Sequence, residues 1–220
     1  MSLVETDWLE KNIQDVKIID CSWHMPQTKR DGFEEYKLKH IPNAIYFDLD
    51  NNSKKDTDLP HMLVEINQWE KILSTMGIKN DDKIIIYDNS DVASACRCWF
   101  NFIYFGHNSN LVHVLNGGLG KWIKEKKEVT NNKTNIKISS YKGIEKKELV
   151  KNKKSINQNI DEQKFKLIDA RSVERFKGNI PEPRKGLKSG SIKNSFCIPF
   201  NYCLNEDKTF KKKEDLKIIF

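Results

Sequence analysis

No stretch of this 220-residue sequence approaches the roughly 20 consecutive apolar residues that a membrane span needs, so no membrane partner is expected. The start, Met1-Ser2-Leu3-Val4-Glu5, lacks the basic and apolar regions of a secretory leader. An odd cysteine count of five, Cys21, Cys96, Cys98, Cys197 and Cys203, argues against a disulfide framework. Together these absences predict a cytoplasmic location. Arginine is scarce, with only Arg30, Arg97, Arg171, Arg175 and Arg184. The net charge of +7 is therefore almost all lysine, in runs such as Lys211-Lys212-Lys213. Arginine is the better reader of phosphates and base edges. Its scarcity predicts no nucleic-acid partner.

What is present is an alternation of strands and helices. Val16 to Asp20, Ile45 to Leu49, Lys83 to Tyr87 and Leu111 to Leu115 are short apolar runs that read as buried strands. Between them, Asn67 to Met76 carries Trp69, Ile72, Leu73 and Met76 at helical spacing, and Gly77 stops it. Val92 to Phe105 is apolar on most faces and reads as a buried helix. Gly117-Gly118 turns the chain into a helix around Trp122. Strands separated by helices predict an α/β fold with a parallel sheet flanked by helices. Ligands in such sheets bind beyond the carboxyl ends of the strands, which directs attention to the loop after Tyr87.

The pattern then returns. Phe165-Lys166-Leu167-Ile168-Asp169 repeats the register of Val16-Lys17-Ile18-Ile19-Asp20. Ser191 to Phe200 echoes His40 to Phe47, in the same order. Two ordered matches predict a duplicated α/β unit. The expected division is a first domain over 1–130, a polar linker over 131–144 and a second domain over 145–220. Asp88 lies 68 residues past Asp20, but the second copy holds only 51 residues after Asp169. The second domain is therefore expected to be incomplete, without its counterpart of the loop at Asp88. An incomplete sheet predicts an exposed edge, loose order and a tendency to aggregate.

These residues carry a family likeness. Ser22-Trp23, Arg30-Asp31, Glu35-Tyr36, His40-Ile41-Pro42, Leu59-Pro60-His61-Met62-Leu63, Tyr87-Asp88 and Asn116-Gly117-Gly118 resemble the amino-terminal domain of tandem rhodanese sulfurtransferases. Asp169-Ala170-Arg171, Glu174-Arg175-Phe176 and Pro181-Glu182-Pro183-Arg184 resemble the carboxy-terminal domain, and the last motif favours the 3-mercaptopyruvate branch over the thiosulfate branch.

The resemblance implies two rhodanese-like domains with the active site between them. It also implies a loop cysteine in the second domain that becomes a persulfide and passes sulfur to a thiol or cyanide. A loop feeding a helix N-terminus supplies backbone N–H groups that favour such a thiolate. The partners implied are a small-molecule sulfur donor and a thiol acceptor such as thioredoxin or a small thiol. No metal or cofactor is called for. Arg175 and Arg184 match the arginines that hold the substrate carboxylate, a task suited to a guanidinium fork. His61 and Asp50 match a pair proposed to handle protons. The first domain carries Asp88 where an active domain has cysteine, and should be non-catalytic. None of the five cysteines occupies the catalytic position.

Taken singly, Arg175 reads as a surface charge, Asp50 as a turn former and His61 as a structural loop histidine; the combined motif promotes them. The alternative reading is a non-catalytic rhodanese-like binding module or a truncated remnant. Cys203, in a loop, is expected to be exposed.

Overall fold

A computed structural model describes residues 2–184 and 186–220. The chain divides into two compact units, Met1–Leu149 and Val150–Phe220. Unit 1 holds β1 (Leu3–Val4), α1 (Thr6–Lys11), β2 (Lys17–Asp20), α2 (Gly32–Leu38), β3 (Ala44–Tyr46), α3 (Ile66–Thr75), β4 (Ile84–Tyr87), α4 (Ser94–Tyr104), β5 (Val112–Leu115) and α5 (Gly118–Lys124). Its five strands run in the order β1-β5-β4-β2-β3, and every pairing is parallel. The sheet has one strand more than the apolar runs announced. β1 is two residues long, too short to show a period, and is held by pairing Leu3 with Val114 and Val4 with Leu115.

A parallel strand covered on both faces must be apolar throughout, and β4 is Ile84-Ile85-Ile86-Tyr87, all fully buried. On one face, Ile18, Ile85 and Tyr87 pack with Leu9 of α1 and with Leu119 and Trp122 of α5. The aromatic cluster of α3 and α4 forms a second core. Trp69 stacks on Phe105 at 4.8 Å and meets Phe102 edge-on at 5.2 Å and Phe47 at 5.9 Å. Rings of this size bury enough surface to dominate the packing.

The polar stretch 131–144 does not behave as a linker; it belongs to unit 1. Thr134 Oγ1 donates to the Ala44 carbonyl at 2.6 Å, and Ser139 Oγ donates to that of Ile78 at 2.6 Å. Tyr141 is buried and stacks on His107 at 5.8 Å. A hydrophilic composition is compatible with order when the polar groups satisfy backbone acceptors already in place.

Unit 2 holds α6 (Lys153–Glu162), β6 (Leu167–Asp169), α7 (Val173–Lys177), β7 (Ser195–Cys197) and α8 (Lys213–Ile219). β6 and β7 form a two-stranded parallel sheet in which Ile168 faces Phe196 in register. Those side chains are 42% and 58% exposed, so this sheet face is uncovered within the described residues. Cys203 lies in a 3-10 turn, Phe200–Cys203, and is half-buried rather than exposed. No helix among the described residues is long and apolar enough to cross a membrane.

Candidate functional site

The loop after β4 is where chemistry was expected, and Asp88 dominates it. Its Oδ2 accepts the Ala95 N–H of α4 at 2.6 Å, and its Oδ1 accepts the Ser90 N–H at 3.2 Å. Its backbone carbonyl accepts the Leu119 N–H of α5 at 3.0 Å. The two helices therefore start against one residue. The cap of α4, Ala93, has a left-handed backbone and contributes no side-chain bond, so Asp88 and Ser90 satisfy the first N–H groups. Gly118 is required by the same approach: with φ +55°, a Cβ there would lie 2.4 Å from the Asp88 carbonyl oxygen. The N–H groups that would otherwise stabilise an external anion are taken by an internal one.

Asp20 ends β2 beside this loop. It is buried, and burial pushes its carboxyl up to about 6, against the donors of Ser22 that pull it down. Its Oδ1 accepts the Ser22 N–H at 2.9 Å.

The predicted His61–Asp50 pair is formed. His61 Nε2 lies 2.8 Å from Asp50 Oδ1, while Trp23 Nε1 donates to Asp50 Oδ2 at 2.9 Å. The Trp23 and His61 rings meet edge-on at 4.8 Å. One carboxylate thus fixes two rings. His61 has a left-handed backbone, φ +53°, and its carbonyl accepts a bond from Arg97 Nη2 of α4. His61 borders a cleft of about 360 Å³ that Trp23, Val92, Ser94 and Arg97 also line. Trp23 and Arg97 are neighbours of this site that motif reading did not assign to it.

In unit 2, Arg175 projects from α7, whose N-terminus is capped by the Ser172 hydroxyl. Arg175 Nη2 donates to Glu182 Oε2 at 2.5 Å and Nε to Oε1 at 3.3 Å. Arg171 Nη1 donates to the same Oε1 at 2.6 Å and also grips Asp169. The arginines, Arg175 foremost, hold the Glu182 carboxyl below its ordinary range. Arg184 is exposed and has no ion-pair partner among the described residues. Arg175 is thus inside an ion cluster with Glu182, a residue that in the sequence stands out only as part of Pro181-Glu182-Pro183-Arg184. Its signal was a carboxylate set between two prolines, Pro181 and Pro183.

None of the five cysteines stands in the loop after β4. Cys21 is fully buried, and burial, reinforced by contact with Cys98, drives its thiol well up. Burial also raises Cys203, with Lys211 opposing. Cys197 Sγ donates weakly to the Arg171 carbonyl at 3.8 Å.

The rhodanese-like domain family model matches residues 5–125. A thiosulfate/3-mercaptopyruvate sulfurtransferase of Arabidopsis thaliana is 37% identical over 98% of this chain, and the match covers 62% of that protein. The thiosulfate sulfurtransferase of Rattus norvegicus is 34% identical, and the 3-mercaptopyruvate sulfurtransferase of Mus musculus 31%; each match covers all of this chain and 76% of the relative. Among solved structures, SseA of Escherichia coli, described as a 3-mercaptopyruvate sulfotransferase, superposes with a TM-score of 0.90 at 27% identity, covering 100% of this chain and 82% of that one. The chain belongs to the rhodanese family, and it spans about three fifths to four fifths of the length of these relatives.

Proposed function

We propose that these residues form the substrate-holding and proton-handling part of a sulfurtransferase that takes sulfur from 3-mercaptopyruvate, with thiosulfate as a second donor. The observation that carries this reading is the match of essentially the whole chain to relatives named for that chemistry. In the reaction, a cysteine thiolate attacks the donor sulfur. The carbon–sulfur bond breaks, its electron pair leaves as the enolate of pyruvate, and a proton returns to carbon. The persulfide then yields its outer sulfur to a thiol or to cyanide. Arg175 and Arg184 hold the donor's carboxylate. His61, its ring fixed by Asp50, carries the proton.

None of the five cysteines here is the nucleophile. Burial pushes the Cys21 and Cys203 thiols up, away from the thiolate, and none of the five stands in the loop after β4. In unit 1 that loop is filled by Asp88. The same observation favours the second reading, a non-catalytic rhodanese-like binding module.

The test is binding of 3-mercaptopyruvate, followed by NMR shifts of the arginine side chains. Arg175→Ala and Arg184→Ala should each weaken it by roughly tenfold, the loss of a charge-assisted fork. Unchanged affinity in both variants would refute the assignment.

A further inference from the structure

Glu182 is the most enclosed charged side chain in the ion cluster of unit 2, at 3% exposure against 31% for Arg175. Its two oxygens do different things. Oε1 accepts from Arg171 Nη1 at 2.6 Å and from Arg175 Nε at 3.3 Å. Oε2 accepts from Arg175 Nη2 at 2.5 Å. Arg171 is itself immobilised: Nε and Nη2 bond Asp169, and Nη2 bonds the Gly190 carbonyl at 2.7 Å. Glu182 is therefore anchored on one side by a fixed arginine and grips the Nε/Nη2 edge of Arg175 on the other.

A guanidinium has two edges that can each take a carboxylate side by side. With the Nε/Nη2 edge occupied, the Nη1/Nη2 edge of Arg175 has no partner among the described residues. The cluster's formal charges cancel, since Asp169 and Glu182 oppose Arg171 and Arg175. Arg184 lies outside this balance, exposed and without an ion pair among the described residues.

We propose that Glu182 is a positioning residue that turns the outer edge of Arg175 toward the substrate carboxylate, and that the two arginines divide the work. Arg175, locked and locally neutralised, fixes the direction of the carboxylate. Arg184 supplies the net positive charge that draws the anion in. This inference rests on the functional reading above.

Two opposite signs separate the possibilities for Glu182. If it positions Arg175, replacing it with glutamine weakens substrate binding, even though the variant is one unit more positive. If it merely competes as a nearby anion, the same change tightens binding.

The experiment titrates 3-mercaptopyruvate into the 220-residue chain and follows the arginine side-chain N–H signals. The unsubstituted chain should shift the Arg175 signals saturably. Glu182→Gln should weaken binding by roughly fivefold or more. Glu182→Asp, which keeps the charge on a shorter arm, should fall between the two. Arg184→Ala should weaken binding and also remove most of its salt dependence, which Glu182→Gln should retain. Unchanged or tighter binding by Glu182→Gln, with a folded amide spectrum, overturns the inference and leaves the functional reading standing. Should Glu182→Gln fail to fold, Glu182→Asp decides by the same signs. No binding by the unsubstituted chain overturns the functional reading, and the inference with it.

Discussion

The Asp88 carboxylate accepts the Ala95 N–H at 2.6 Å and so closes the N-terminus of α4 from within the chain. The group that blocks an external anion is also a structural cap. Asp88→Ala should therefore lower the unfolding free energy of unit 1 by about 1–2 kcal/mol, the ordinary loss for a removed cap. Asp88→Asn, which keeps one acceptor, should lose less. Urea denaturation of the three proteins checks the order; equal midpoints would show that the cap does not stabilise the loop.

Asp20 should give unit 1 an unusual pH dependence. Its carboxyl is raised from 3.8 to about 6 in the folded chain. Below pH ~3.8 both folded and unfolded forms hold the proton, and the contribution to stability is fully present. As pH rises, the unfolded form ionises first, and the contribution is lost through pH ~6, on the order of 2–3 kcal/mol by pH 7. Asp20→Asn cannot ionise. Its stability relative to the natural chain should rise between pH 4 and pH 7. Melting curves of the two proteins that stay parallel over this window would contradict the assignment.

Trp23 reports on His61. The rings touch edge-on at 4.8 Å and share Asp50. This contact should show in the Trp23 emission. At one fixed pH, His61→Gln and Asp50→Asn should each change the emission of the natural chain, and neither should change that of the Trp23→Phe variant. Equal emission spectra for His61→Gln and the natural chain would contradict the contact.

The strands of unit 1 were legible because both faces of a parallel sheet are covered, which leaves apolar runs such as Ile84-Ile85-Ile86. β1 was not, since two residues carry no period. The segment 131–144 misled because its side chains are polar; its order comes from acceptors on distant strands and helices, such as the carbonyls of Ala44 and Ile78. His61 and Asp50 were identified through family likeness, and the structure adds Trp23 and Arg97, which no local pattern links to them. Glu182 was in view as part of a motif, but its grip on Arg171 and Arg175 depends on a fold that brings the loop back against α7.

The proposal above has this chain hold a sulfur donor without carrying the sulfur itself. Intact-mass measurement after incubation with 3-mercaptopyruvate tests it most directly. Cys21, Cys96, Cys98, Cys197 and Cys203 should show no sulfur-atom mass gain under conditions where the donor binds. A persulfide on any one of them, formed at the rate of a working sulfurtransferase and lost with cyanide, would contradict it.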